Sequence, residues 1–443
     1  MFIFVSCLRP NVGLNLDKAL RTKLMKDGIQ LSADIDTSTK MKAMTDEFFG
    51  WIAAHASDDI AKLRLKYGHD YDQAITQIEC RRKFGKKLEQ TLTAFPDFYF
   101  PSVLSGEQST SDLLAEFHAS LMPEGLAVAD LTAGLGIDAL HAATRAASVV
   151  AVERDEDKVN ALKFNAEALK ADNITAICSD CRDFIDQCIA EGRRFDTVFI
   201  DPARRSADGG RVFALADCEP DVTSLMPKLV QICRMLIIKA SPMLDIAHTC
   251  GSLVPAPQAV MAVGSAAECK ELLVTLVFDP AEEGAAVIEA VTLHPDRSAT
   301  TFAFTSEQEK NAPQPPVIEN LTEGDYICEP NPELMKTGAF KMVAERWQLS
   351  VFHPNTRVFA AKEVPGGFPG TCYRVLKVLP YASRVIKSFS KEYPMINVAA
   401  RNFGMSADAL RAKLKVRDGG SLRLYGITGP GGEKLLVVCS LAI

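Results

Sequence analysis

No stretch of the 443 residues approaches the roughly 18 consecutive apolar residues needed to cross a bilayer, so no helical membrane span is expected. The opening Met1 to Cys7 is apolar but short. It lacks a basic lead-in and a small-residue cleavage site, which argues against a signal peptide. It reads as an upstream extension of the frame, with a more ordinary start at Met25. The twelve cysteines are scattered, without the dense framework of a small secreted domain, and the expected compartment is the reducing cytoplasm. Cys178-Ser179-Asp180-Cys181 has CxxC spacing, but no second CxxC or His pair completes a tetrahedral zinc site, so no metal is expected. Internal repeats and low-complexity tracts are lacking too. A net charge of −7 argues against a generic nucleic-acid coat, although a local basic face remains compatible with it.

What is present suits a globular protein of two to four domains: 47% of residues are hydrophobic and 24% charged. Residues 30–95 read as helices, with Phe48, Phe49, Ile52 and Ala53 at helical spacing. Cys80-Arg81-Arg82-Lys83 and Lys86-Lys87 add a basic stretch, read as a solvated helix surface. Phe95-Pro96 and Phe100-Pro101 then make a loop. From 127 onward strands alternate with helices: Ala127–Leu131, Ser148–Val152, Ile174–Ile177, Phe195–Ile200 and Met235–Ile238 are five strands. Ala259–Val263 and Leu272–Phe278 follow, with a short helical spacing at Ala266–Lys270, and suggest an antiparallel edge pair. The pattern predicts an α/β fold around a mostly parallel sheet. Beyond a Pro-rich linker at 312–316, residues 326–443 mix helix and strand, including a helix at Leu334–Trp347 and a strand at Val351–Phe359.

The chemistry centres on Asp130-Leu131-Thr132-Ala133-Gly134-Leu135-Gly136, between a strand and a helix. Glycines there permit a tight turn and close approach to a ligand, and the helix start offers unpaired N–H groups. Gly134, Gly136 and Ala139, with Glu153 beyond, also fit the G-x-G-x-x-A of a dinucleotide enzyme. Asp130 argues otherwise, because a carboxylate before the turn faces a phosphate unfavourably but accepts bonds from an ammonium group. Glu153 ends the second strand, placed for ribose hydroxyls, and Asp180 follows the third, placed for an adenine amino group. Ligands of open α/β sheets bind outside the carboxyl ends of the strands, where these acids converge.

With these residues and the loop Asp201-Pro202-Ala203-Arg204-Arg205, the chain resembles the class I S-adenosylmethionine-dependent methyltransferases over residues 105–280. The resemblance implies a Rossmann-like seven-stranded sheet and S-adenosylmethionine as cofactor. Asp130, Thr132, Gly134, Gly136, Glu153, Asp180 and Asp201 are the expected cofactor-binding residues. In that family the fourth-strand loop often reads Asp/Asn-Pro-Pro-aromatic when an exocyclic amine is methylated; here Ala203 and Arg204 depart from it. Asp201 is the candidate for orienting or deprotonating the acceptor, with Arg204 beside it as a catalytic candidate. Arg204 and Arg205 either hold a substrate phosphate or carboxylate, or pair with acids such as Asp208 or Asp217. Lys239-Ala240-Ser241-Pro242 ends the fifth strand without the cysteine of a covalent uracil methylase, so direct transfer is expected. Glu107-Gln108-Ser109-Thr110 either caps a helix or touches the donor's carboxylate.

The C-terminal part resembles the THUMP-like domain of a group of bacterial methyltransferases, on Tyr326-Ile327-Cys328-Glu329-Pro330-Asn331-Pro332, Phe340-Lys341, Phe368-Pro369-Gly370, Arg401-Asn402-Phe403 and Leu410 to Gly420. The domains implied are a helical N-terminal region (1–100), the methyltransferase domain (101–280), a small ferredoxin-like segment (281–324) and the THUMP-like domain (325–443). The resemblance implies an RNA substrate. Between Arg384 and Arg423, nine basic residues stand against three acids, the usual footprint of phosphate contacts. Arg411 and Lys415 are the candidate RNA-binding residues there, unless they form an ordinary solvated helix face with Asp418. The expected function is methylation of structured RNA, tRNA or rRNA. The alternatives are another acceptor (DNA, protein or a small molecule), a non-catalytic RNA-binding module, and a nicotinamide-dependent oxidoreductase.

Overall fold

A computed structural model describes residues 37–204, 214–278, 285–353, 355–356 and 358–442. The chain divides into two compact units, residues up to 203 with 218–238, and residues 204–217 with 239–443.

The first unit begins with helices α1 (Thr37–Ala54), α2 (Ile60–Tyr67), α3 (Asp72–Phe84), α4 (Glu89–Ala94), α5 (Val103–Gln108) and α6 (Asp112–Leu121). The α/β part follows as β1 (Ala127–Asp130), α7 (Ile137–Ala143), β2 (Ser148–Glu153), α8 (Glu156–Ala168), β3 (Ile174–Cys178), α9 (Cys181–Glu191), β4 (Phe195–Ile200), α10 (Val222–Ile232) and β5 (Cys233–Ala240). The strand order is β3-β2-β1-β4-β5, every pair parallel. Val128, Ala129, Val149, Val150, Ala151, Val152 and Val198 are buried, as expected for strands covered on both faces.

The N-terminal helices are not a separate body. Phe49, Ile52, Leu63, Ile75 and Ile78 share one apolar cluster with Tyr99 and with Ala161 of α8, and Phe49 stacks on Phe164. The loop expected around Phe95 to Pro101 is buried at Phe98, Tyr99 and Phe100, and two side-chain amides satisfy backbone groups there. Gln77 donates to the Phe100 carbonyl (2.7 Å) and accepts from its N–H (2.9 Å). Asn165 pairs in the same way with Tyr99, at 3.0 and 2.8 Å. Such reciprocal pairing lets an irregular segment lie inside a core.

In the second unit, helix α11 (Ile246–Gly251) precedes β6 (Ala259–Ser265) and β7 (Glu268–Val277). These form an antiparallel pair, so Ala266–Lys270 is the turn and start of β7 rather than a helical segment. Strands β8 (Val287–Leu293) and β9 (Ala299–Thr305) extend this sheet: β8 runs parallel to β6 and β9 antiparallel to β8. Residues 281–324 are therefore not an independent ferredoxin-like segment; β8 is hydrogen-bonded to β6, and β9 to β8. Helix α12 (Ser306–Asn311) follows, opened by a capping box at Thr305 and Gln308.

The remainder is a seven-stranded sheet. It holds β10 (Tyr326–Pro330), α13 (Pro332–Thr337), α14 (Phe340–Arg346), β11 (Ser350–Val351), β12 (Phe359–Ala361), β13 (Gly370–Pro380), α15 (Ser383–Glu392), β14 (Asn397–Arg401), α16 (Ala407–Leu414), β15 (Leu422–Thr428) and β16 (Lys434–Leu441). The order is β11-β12-β10-β13-β16-β15-β14, antiparallel except for the parallel pair β14–β15. The helix expected at Leu334–Trp347 is two helices, divided where Gly338 takes a φ of 77°. The strand expected at Val351–Phe359 ends at Val351 and resumes at Phe359. Helices α15 and α16 cover one face through Phe389, Leu410 and Leu414.

Candidate active site

Every acid expected at a strand end stands at one. Asp130 closes β1, Glu153 closes β2, Asp180 follows β3 and Asp201 follows β4. Asp130 is buried, and its Oδ1 accepts from the Thr132 N–H at 3.1 Å. The turn after it needs glycine at two points. Gly134 has φ 56° and Gly136 φ 85°, where a side chain is strained. A Cβ on Gly136 would lie 2.2 Å from Leu162 Cδ1 of α8.

Glu153 supports this turn directly, its Oε2 accepting from the Gly134 N–H at 2.9 Å and its Oε1 from the Asp155 N–H at 2.9 Å. Thr132 links the turn to the next loop: its hydroxyl accepts from the Asp201 backbone N–H at 2.7 Å. The glycine turn and the fourth-strand loop are thus one hydrogen-bonded unit. Asp180 caps α9 through the Arg182 N–H (2.8 Å), and the Arg182 guanidinium grips it at 2.9 and 2.7 Å. That hydrogen bonding lowers the Asp180 pKa to about 2. Arg182 also reaches Glu219 at 3.0 Å. An ionised carboxylate has about four lone-pair sites, and the three donors of Arg182 fill three of them at Asp180.

A pocket forms around the turn, lined by Ser105, Gln108, Ser109, Thr110, residues 132–138, Lys158 and Asp201. Ser111, not Ser109 or Thr110, caps α6; Ser109 donates to the Gly106 carbonyl at 2.9 Å and Thr110 to Asp138, and both line the pocket. Asp138 and Lys158 line it unforeseen. The signal for Asp138 was its place two residues past the last glycine of the turn. Lys158, one turn into α8 beyond Glu153, is the one cation among these lining residues. Asp130, Glu153 and Asp180 are not among the residues that line the pocket; the lining joins the glycine turn to two carboxylates, Asp138 and Asp201, and the Lys158 cation.

Not every expected residue meets here. The Arg204 side chain and all of Arg205 lie outside the described residues. Arg411 and Lys415 belong to the second unit, on α16 and at its left-handed end. Arg411 pairs with Asp408 (2.5 Å) and Asp418 (3.6 Å), the solvated-face arrangement, whereas Lys415 is exposed. The CxxC pair is an exposed Cys178 and a buried Cys181. Among the described residues no group of His, Cys, Asp and Glu could hold a metal ion, and no helix is long and apolar enough to cross a membrane.

Comparison with known proteins agrees with this geometry. Residues 370–441 match the THUMP domain-like family, 326–369 a ferredoxin-like domain and 116–210 the family Conserved hypothetical protein 95. The ferredoxin-like match thus falls on β10 to β12 and not on 281–324. A crystal structure from Porphyromonas gingivalis W83, provisionally named a methyltransferase, is 29% identical with a TM-score of 0.79, over 92% of this chain and 100% of that one. An uncharacterized RNA methyltransferase of Mycoplasma mobile is 38% identical over 81 residues, 18% of this chain and 22% of its own. The 23S rRNA (uracil(1939)-C(5))-methyltransferase RlmD of Aliivibrio salmonicida is 34% identical over 82 residues, 18% of this chain and 19% of its own. The chain therefore spans about a fifth of the length of these curated relatives.

Proposed function

We propose that this chain, which has the class I S-adenosylmethionine-dependent methyltransferase fold with a C-terminal THUMP-like domain, methylates structured RNA, tRNA or rRNA, by direct transfer. The observation that carries the reading is the bond between Thr132 and the Asp201 N–H, which sets the acceptor loop against the donor turn. S-adenosylmethionine, when bound, supplies a methyl group already activated on a sulfonium. The residues here then need mainly to align the partners and take one proton. Asp130 holds the donor's ammonium, Glu153 its ribose and Asp180 its adenine. Asp201 orients the acceptor and takes its proton, and Arg204 and Arg205 hold a phosphate of the substrate.

RNA as substrate is supported by the second unit. Arg384, Lys387 and Lys391 of α15, with Lys413, Lys415 and Arg417 at and beyond the end of α16, are exposed. Curated relatives named as RNA methyltransferases favour the same acceptor. Lys415 is retained as a contact and Arg411 is not, its guanidinium being turned to Asp408 and Asp418.

A thermal melt with S-adenosylmethionine, S-adenosylhomocysteine and NAD tests the donor. A ligand at 100 times its Kd adds about 2.7 kcal/mol, a shift of several degrees. A shift with NAD alone sinks the reading. Transfer of labelled methyl into RNA from the source cell then tests the acceptor. It should vanish in Asp201→Ala while donor binding persists; unaffected transfer would remove Asp201 from the chemistry. Label entering DNA, protein or a small molecule, and not RNA, would overturn the substrate.

A further inference from the structure

The donor-pocket wall formed by Ser105 to Thr110 is far in sequence from the glycine turn it faces, so something must hold it in place. The described contact between them is a carboxylate. Thr110 donates its hydroxyl to Asp138 Oδ2, and His118 Nδ1 lies 2.7 Å from Asp138 Oδ1. Asp138 sits in the first turn of α7, directly after the glycine turn, and lines the pocket. His118 is fully buried on α6. A second pair runs the other way between the same helices, from Asp112 of α6 to His141 of α7 at 3.1 Å. Asp112 also takes the Thr91 N–H at 3.0 Å. Only the first of these two pairs touches the pocket.

We propose that Asp138 is a positioning residue for the methyl donor: by holding Thr110 and His118 together it fixes the Ser105–Thr110 wall against the glycine turn. This rests on the reading that the pocket receives S-adenosylmethionine. A carboxylate can accept from both partners at once. An amide at the same place keeps the shape but offers one oxygen and turns an NH₂ toward the other donor. The Asp112–His141 pair holds the same helices at a point away from the pocket. It contributes to stability without shaping the donor site.

The test is calorimetric titration of the full chain with S-adenosylhomocysteine, alongside melting temperatures. Asp138→Asn and Thr110→Val should each bind about tenfold more weakly, the worth of one lost hydrogen-bonding contact, whereas Thr110→Ser, which keeps the hydroxyl, should bind as the unsubstituted chain does. Asp112→Asn should melt lower yet keep its affinity. Thr110→Val keeps the test decisive if Asp138→Asn does not fold. Unchanged affinity in Thr110→Val, or a loss in Asp112→Asn equal to that in the pocket variants, would overturn the brace. No binding by the unsubstituted chain would instead sink the donor reading beneath it.

Discussion

Two stretches of this chain are comparably rich in basic residues and use them in opposite ways. Around α3, Arg81 donates to the carbonyls of Pro96 (2.9 Å), Phe98 (2.8 Å) and Gln77 (3.2 Å). Arg82 donates to Ala56 and Asp58 at 2.6 Å each. Lys83 pairs with Glu107, and Lys87 reaches the carbonyls of Gly106 and Glu107 at 2.9 Å. Burial lowers the Arg81 pKa to about 10, still charged at neutral pH. On α15 and α16, by contrast, most cations face outward, because the adjacent strands already pair their own backbone groups. Charge density alone does not distinguish a nucleic-acid surface from a structural clamp. The distinction lies in whether unpaired acceptors of the same chain stand within reach.

The largest effect expected from this contrast is on stability. Arg81→Leu should cost about 3 kcal/mol, since it strands carbonyls at Phe98 and Gln77 that have little access to water, and should leave RNA affinity alone; a denaturant titration measures it. Next, reversing Arg384, Lys387 and Lys391 to Glu together should weaken RNA binding by about a hundredfold at low salt, through lost counterion release, with stability nearly unchanged. RNA binding that survives this reversal would break the comparison. Lys415→Ala should lower the slope of log affinity against log salt by about 0.7 to 0.9, one phosphate contact. The smallest effect belongs to Arg411→Ala. Its exposed ion pairs predict a change within about 1 kcal/mol and no change in salt slope; a slope change there would return Arg411 to the interface.

The candidate site was legible because its residues are local in sequence. A strand, a turn held by Gly134 and Gly136, and acids at successive strand ends all fall within one ordered stretch, and periodicity set the strands close to where they lie. What escaped depends on residues far apart in sequence. The partners of Asp138, Thr110 and His118, became visible only once folded against it, and Lys158 only when α8 turned it toward the pocket. The basic character of α3 was plain, but the carbonyls that absorb it come from the loops at 56–58 and 96–98. In the second unit, β8 and β9 looked like a separate insert because the sequence of β8 carries no mark of its pairing with β6, on which β9 is then added. Helix α15 and strand β14 escaped for a related reason, since each buries only part of its surface.

The Thr132–Asp201 link has a consequence for how such a site can diversify. The group that the hydroxyl holds is a backbone N–H, which every residue except proline possesses. This anchor of the loop after β4 therefore does not depend on which side chain stands at 201, and positions 202 and 203 can change without removing it. The exchange of a Pro-aromatic pair for Ala203-Arg204 is the kind of change that anchor tolerates, and recombining this loop among relatives should preserve its position as long as a hydroxyl remains at 132.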